Sequence, residues 1–201
     1  VASWAGRDYY GRWKAQQYYS RQAYDDILVS PVVLGDSLHV NVVTNRRTPA
    51  KGVVTLRAMR LDGTPVWEKY LPYSAAPLTS VEVFADDIRN LLGDNKRGDV
   101  IFTADFAVKG DRTYSNVAYP CKQKFMNYTV PQLSVYVAPA EGGYDVTLGS
   151  DVFARAVFLS LDGIDNFFSD NYFDILPGGK RTIRVTTPIS PDDFRRQLKV
   201  T

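Results

Sequence analysis

Between Asp8 and Tyr24 the chain has no proline and one glycine, Gly11, and its aromatics recur at helical spacing. At about 100° per residue, Tyr9, Trp13, Tyr19, Ala23 and Tyr24 share one broad face, while Arg12 and Gln16 intrude on it and Tyr10 and Tyr18 lie off it. The pattern predicts a helix over 8–24, with Asp8 as its N-cap and Pro31 ending any helical continuation. A helix aromatic on several sides packs against more than one neighbour. One face is expected to dock on the sandwich that follows.

Beyond Pro31 the period changes to alternation. In Ser37–Val43, Leu38, Val40 and Val42 point one way and His39 and Asn41 the other. Strand-like stretches follow at 53–61, 66–71, 80–84, 100–108 and 113–119. Asp62-Gly63 supplies a hairpin signal between the first two, and Lys109-Gly110-Asp111 a turn between the last two. Residues 86–92 fit a short helical turn. Pro120–Pro131 reads as a connector. A second strand series then occupies 133–137, 144–148, 154–161, 171–176, 181–186 and 197–201, turned by Glu141-Gly142-Gly143 and Pro177-Gly178-Gly179. Short strands with turn signals between them predict two antiparallel sandwiches. The second is small enough that it is expected to lean on a neighbour.

Composition changes this picture little. Hydrophobic residues make up 45% and charged residues 23%, enough for a core without disulfides or metal. A net charge of +2 is too weak to call for nucleic acid or an anionic membrane as partner, and no apolar run approaches the ~20 residues that span a bilayer. Cys121 is the single cysteine, so no intramolecular disulfide forms, and His39 is the single histidine. The opening Val1-Ala2-Ser3-Trp4 lacks the marks of a signal peptide and reads as the start of a piece of something longer.

The candidate chemistry is thin. Acidic neighbours occur at Asp25-Asp26, Asp86-Asp87 and Asp192-Asp193, but adjacent carboxylates diverge and sit where aspartate caps backbone amides. Asp162, Asp165, Asp170 and Asp174 crowd one stretch. A calcium loop is the sharp reading and an Asp/Asn-rich turn the plain one, and the spacing fails the alternating ligand pattern of an EF-hand. Phe167-Phe168 and Tyr172-Phe173 could offer a sugar platform, although aromatics in alternating strands usually fill cores. His39 is expected in solvent. Asn127-Tyr128-Thr129 fits the glycosylation sequon. No catalytic set, metal site or cofactor motif emerges.

Three stretches carry a resemblance. Residues 3–19, Ser3-Trp4-Ala5-Gly6-Arg7-Asp8-Tyr9-Tyr10-Gly11-Arg12-Trp13-Lys14-Ala15-Gln16-Gln17-Tyr18-Tyr19, resemble the segment where β-mannosidases of glycoside hydrolase family 2 finish their catalytic barrel, departing from that pattern at Ala5, Gly6 and Arg7. Tyr114-Ser115-Asn116-Val117-Ala118-Tyr119-Pro120 is similar to a strand ending the sandwich after the barrel. Ser169-Asp170-Asn171-Tyr172-Phe173-Asp174-Ile175-Leu176-Pro177-Gly178 resembles a run in the terminal immunoglobulin-like domain of the same enzymes. The resemblance implies a mainly β chain of two immunoglobulin-like antiparallel β-sandwiches preceded by an N-terminal helix. Residues 1–30 would be the last helix of the barrel, 31–130 the first sandwich and 131–201 the small terminal one.

It also implies a non-catalytic portion of a retaining exo-β-mannosidase. The two catalytic glutamates of the family lie upstream of the matched region, so no catalytic residue carries over, and no metal or cofactor is implied. The barrel would be the partner in cis, reaching a β-mannoside through it, and Trp4 alone is placed near the sugar. No nucleic acid or membrane partner is implied, and pairing of two copies through the aromatic helix stays open. So do two other readings, an independent carbohydrate-binding module and an immunoglobulin-like interaction module.

Overall fold

The computed structural model describes residues 5–161 and 166–201. It is mainly β, with several antiparallel sheets and one short helix near the start, as the strand patterns imply. The helix α1 spans Ala15–Ala23. It is shorter than the 8–24 the aromatic spacing suggests, because Asp8 caps a closed loop rather than a helix. Its Oδ1 accepts from the backbone N–H of Tyr10 at 2.9 Å and of Arg12 at 3.0 Å. Gly11 sits at φ +79°, a left-handed conformation that glycine adopts without strain.

The chain divides into two compact units, one of residues 22–128 and one of residues up to Arg21 together with Thr129–Thr201. In the first, β1 (Ile27–Leu34), β2 (Ser37–Thr44) and β5 (Ser80–Asp87) form one sheet in the order β1-β2-β5. The second sheet, in the order β4-β3-β6-β7, is built from β3 (Ala50–Arg60), β4 (Pro65–Ala75), β6 (Val100–Val108) and β7 (Thr113–Ala118). Every pairing is antiparallel. Val54, Leu56 and Ala58 of β3 stand opposite Phe106, Ala104 and Phe102 of β6, and this row meets Val29, Leu38, Val40 and Val42 in one core. The short helix α2 (Ile88–Leu92) follows β5, with the Asp87 side chain accepting from the Arg89 N–H.

Strand β1 runs straight through Pro31, which the sequence marked only as the end of any helix. Pro31 pairs with Val40 on the core side of the sheet. It is tolerated because β1 is an edge strand, where a missing N–H need not interrupt a ladder on both sides.

In the second unit, β8 (Leu133–Ala140), β9 (Gly143–Ser150), β12 (Phe167–Phe168) and β14 (Lys180–Thr186) form a sheet in the order β12-β14-β9-β8. Two short pairs complete the sandwich: β10 (Ala154–Val157) with β13 (Phe173–Ile175), and β11 (Leu159–Leu161) with β15 (Leu198–Val200). Val146, Leu148, Ile183 and Val185 from the sheet share a core with Val157, Leu159, Phe173 and Ile175 from the pairs. The helix α3 (Pro191–Gln197) is capped by Ser190 and drives Phe194 into that core, where its ring stacks on Tyr144 at 4.1 Å.

Candidate functional site

The second unit holds a groove of about 1120 Å³, lined by Tyr10, Arg12, Trp13, Phe167, Tyr172 and Thr187 among others. One wall is the closed loop ahead of α1. Lys14 N–H donates to Gly6 O at 2.9 Å, Asp8 N–H to Arg12 O at 2.9 Å, and Arg7 bridges Trp13 across the loop. The Arg12 guanidinium also reaches Asp8 Oδ2 at 2.7 Å. Desolvation raises the Asp8 pKa, but the hydrogen bonds and charge of Arg12 outweigh it and hold the carboxyl below its usual value of 3.8.

Asn171 and Tyr172, from the run Ser169–Asp174, line the other side. Asn171 is 4% exposed; its Oδ1 accepts from Leu159 N–H at 2.8 Å and its Nδ2 donates to Leu159 O at 2.8 Å. One side-chain amide thus satisfies both backbone groups of a residue in β11. The backbone then turns through Tyr172 at φ +57°, a costly conformation for a bulky side chain. Packing compensates, because the Tyr172 ring stacks on Phe158 at 4.7 Å and tilts against Tyr18 at 6.0 Å. Asp174 Oδ1 accepts from the Ala156 N–H at 2.8 Å, steadying another residue of positive φ.

Asp170, in that run, ties α1 to β14. It accepts from Arg21 of α1 at 2.8 Å and from Arg181 of β14 at 2.9 Å, while Arg21 also donates to Ser169 O at 2.6 Å. Trp13 stands edge-on to Phe167 at 5.6 Å and to Tyr18 at 5.2 Å, and the guanidiniums of Arg7 and Arg21 lie over its ring. Through residues 13–21 the helix therefore packs on the second sandwich, where the sequence placed it against the first. Burial pushes the Tyr18 phenol up to about 12.

The remaining candidates fall into ordinary roles. Asp25 receives Arg112, and Asp26 receives Arg46 and Tyr114. Asp86 accepts from the Asp87 N–H and Asp87 caps α2, while Asp193 pairs with Arg196 and Ser190 at the start of α3. His39 lies on the sheet face away from the core, partly exposed, with its Nδ1 2.8 Å from Glu82. The proposed calcium stretch splits. Asp170 and Asp174 are engaged as above, and Asp162 and Asp165 lie outside the described residues. Among the described residues no group of three metal-ligating side chains comes together, and no helix is long and apolar enough to cross a membrane. Of the platform aromatics, Phe168 and Phe173 are core, Phe167 is half-exposed beside Trp13, and Tyr172 is stacked on Phe158. Asn127 of the sequon donates to Asp99 at 2.6 Å. Trp4 lies outside the described residues. The sequence reading missed the roles of Arg21 and Asn171; Asn171 belongs to the run Ser169–Gly178, while Arg21 lies just beyond the matched segment 3–19 and carried no signal.

Comparison with known proteins bears on the whole chain. Residues 36–124 match the family model described as a mannosidase Ig/CBM-like domain, and residues 128–201 match the Ig-fold domain model of mannosidases. Beta-mannosidase A of Aspergillus terreus is 30% identical over 200 residues, covering 90% of this chain and 21% of that protein. Its counterpart in Emericella nidulans is 26% identical over 210 residues, covering 95% of this chain and 22% of that protein. The chain therefore spans about a fifth of the length of the curated relatives it matches. Among solved structures, a beta-D-mannosidase from Dictyoglomus thermophilum superposes with a TM-score of 0.84 at 22% identity, covering 100% of this chain and 24% of that one. The exo-chitosanase CsxA of Amycolatopsis orientalis superposes with a TM-score of 0.68 at 13% identity, covering 98% of this chain and 28% of that one. These two structures share the fold. Two mannosidase immunoglobulin-like domains in consecutive order, and relatives aligned along nearly all of its length, support a C-terminal fragment of a glycoside hydrolase family 2 mannosidase.

Proposed function

We propose that this chain is the non-catalytic portion of a retaining exo-β-mannosidase and that it supports a catalytic barrel in the same polypeptide. The observation that carries the reading is the alignment of the chain with about 22% of the length of fungal β-mannosidases, through both immunoglobulin-like domains. The carboxylates described above serve as caps and ion-pair partners. Hydrolysis of a glycoside needs two carboxyl groups roughly 5–9.5 Å apart across the scissile bond. On this reading the pair comes from the barrel, and Trp4 forms part of the wall of its sugar pocket.

The test is an assay with an aryl β-mannoside. The 201-residue chain is expected to give background turnover, and the longer protein containing it to be active. Substituting the barrel's acid/base glutamate should abolish that activity, and Trp4→Ala should raise KM. Turnover by the purified 201-residue chain that is lost on replacing one of its own aspartates would overturn the reading.

A further inference from the structure

In the first unit, the face of the β4-β3-β6-β7 sheet turned away from the core is organised around one arginine. Register puts Arg57 of β3 opposite Glu68 of β4 on one side and Thr103 of β6 on the other. The Arg57 Nε donates to Glu68 Oε1 at 2.5 Å and its Nη1 to Asp105 Oδ2 at 2.7 Å, while the Tyr70 hydroxyl donates to Glu68 Oε2 at 2.5 Å. A line of donors and acceptors, Asp105–Arg57–Glu68–Tyr70, therefore crosses three neighbouring strands set about 4.8 Å apart. Its own bonds fix the line in place, which lowers the ordering cost for a ligand that meets it.

The composition of the face selects its occupant. Alternation turns Lys51 and Arg57 of β3 outward together with Glu68 of β4 and Asp105 of β6, so the charges cancel and the face offers nothing to a polyanion. The ion pairs lie at its centre, where a protein-binding surface is depleted of charge. Thr103 is 3% exposed, and its hydroxyl has no hydrogen-bond partner. Buried hydroxyls are nearly always paired, so one left open beside Arg57 marks a place where the chain does not complete its own bonds. Tyr70, 60% exposed, adds an aromatic ring at the end of the line. A neutral polyol answers each of these features. A pyranose sets its C–H face on an aromatic ring and turns its hydroxyls to carboxylates and guanidiniums.

We propose that this face of the first sandwich binds a β-linked mannan chain, with Tyr70 stacked on one sugar ring and the Asp105–Arg57–Glu68 line bonding the hydroxyls beside it. The kind of sugar rests on the function proposed above; the site itself is an addition to it. The test is electrophoresis of the 201-residue chain through native gels containing soluble galactomannan, with hydroxyethylcellulose gels beside them. Galactomannan should retard the chain. Tyr70→Ala should weaken the retardation roughly ten-fold, and Arg57→Met should weaken it as well. Tyr136→Ala, which removes a tyrosine 68% exposed on β8, should leave it unchanged. A second measurement needs no variant: mannohexaose should shift the amide resonances of Thr55, Arg57 and Asp105 and leave those of β9 in place. The longer protein should show the same loss with Tyr70→Ala as the 201-residue chain does.

A chain that migrates freely in galactomannan, with no resonance shifted by mannohexaose, overturns this proposal, and an active longer protein would leave the functional reading intact. An inactive longer protein defeats the functional reading, while retardation that depends on Tyr70 still supports the site. Retardation lost in Tyr136→Ala but kept in Tyr70→Ala moves the site to the other unit and overturns the proposal. So does retardation by hydroxyethylcellulose alone, which assigns the face to a different glycan. An effect of Tyr70→Ala seen in the 201-residue chain and absent from the longer protein shows that another domain covers the face there, and this too overturns it.

Discussion

Asn171 does with one side chain what a neighbouring strand does with its backbone, pairing both the N–H and the C=O of Leu159 at 2.8 Å. In Asn171→Leu the volume is kept but two buried backbone groups lose their partners, at about 1–3 kcal/mol each. For a unit of this size 1 kcal/mol shifts the melting temperature by roughly 4–8 °C, so calorimetry should show the terminal unit melting about 10 °C lower or more. A shift under about 2 °C would show that the clamp contributes little. Tyr18 gives a second check, on pH. Burial raises its phenol from 10.0 to about 12, so the folded state favours the protonated form. That contribution is whole below about pH 10 and is lost as pH rises through about 12. Tyr18→Phe forfeits only a long 3.4 Å bond to Phe168 O, so its stability at neutral pH should change by less than about 1 kcal/mol. Its alkaline unfolding curve should be flatter over that window. The conspicuous run Ser169–Gly178 was legible as a motif. Its work was not, because Arg21 lies 149 residues from Asp170 and no local pattern reports such a pairing.

Among the elements, the alternating strands were read close to their true positions, since period-two burial is written directly in residues such as Leu38, Val40 and Val42. Two departures have definite causes: β1 went unread, and α1 starts later than the spacing suggests. Pro31 forbids a central strand but not an edge one, and neighbourhood in a sheet is a tertiary property. Asp8 followed by aromatics looks like a capped helix, yet the same carboxylate can close a turn when Gly11 supplies a positive φ. Asp8→Ala should therefore open the loop and leave α1 in place. Hydrogen exchange should show faster exchange at the Tyr10 and Arg12 amides, with the amides of residues 18–21 unaffected. In the unaltered chain, acid should open the loop only below the usual aspartate range. The lowered Asp8 pKa means its bonds persist through pH 3.8 and are lost as pH falls through the folded-state value.

At the scale of the molecule, each unit has its own core, and Phe194 is the central aromatic of the terminal one, fully buried and stacked on Tyr144. Phe194→Ala should cost about 3–5 kcal/mol, against a total of roughly 5–15 kcal/mol for an ordinary domain. Near-ultraviolet circular dichroism is expected to show the Tyr144 environment lost well below the melting temperature of the unaltered unit. A fall of under about 5 °C would place the core elsewhere. The sequence suggested divisions at residues 30 and 130, and the compact units divide after Arg21 and Tyr128. The later boundary is marked by prolines and polar residues. The earlier one falls inside α1, where nothing in composition changes, and only the distant partners of Tyr18 and Arg21 decide it.

The 149 residues between Arg21 and Asp170 also set a delay during synthesis. At roughly 5–20 residues per second, Arg21 leaves the ribosome about 7–30 s before Asp170 does. The final ladder waits longer still, because Thr201 must arrive to exchange bonds with Phe158. Throughout that interval Trp13 and Tyr18 travel without their aromatic partners Phe167 and Tyr172. Nascent-chain chaperones and a slower elongation rate at low temperature should therefore matter to the yield of soluble protein, while the compact unit of residues 22–128 has all its own strands once Tyr128 emerges.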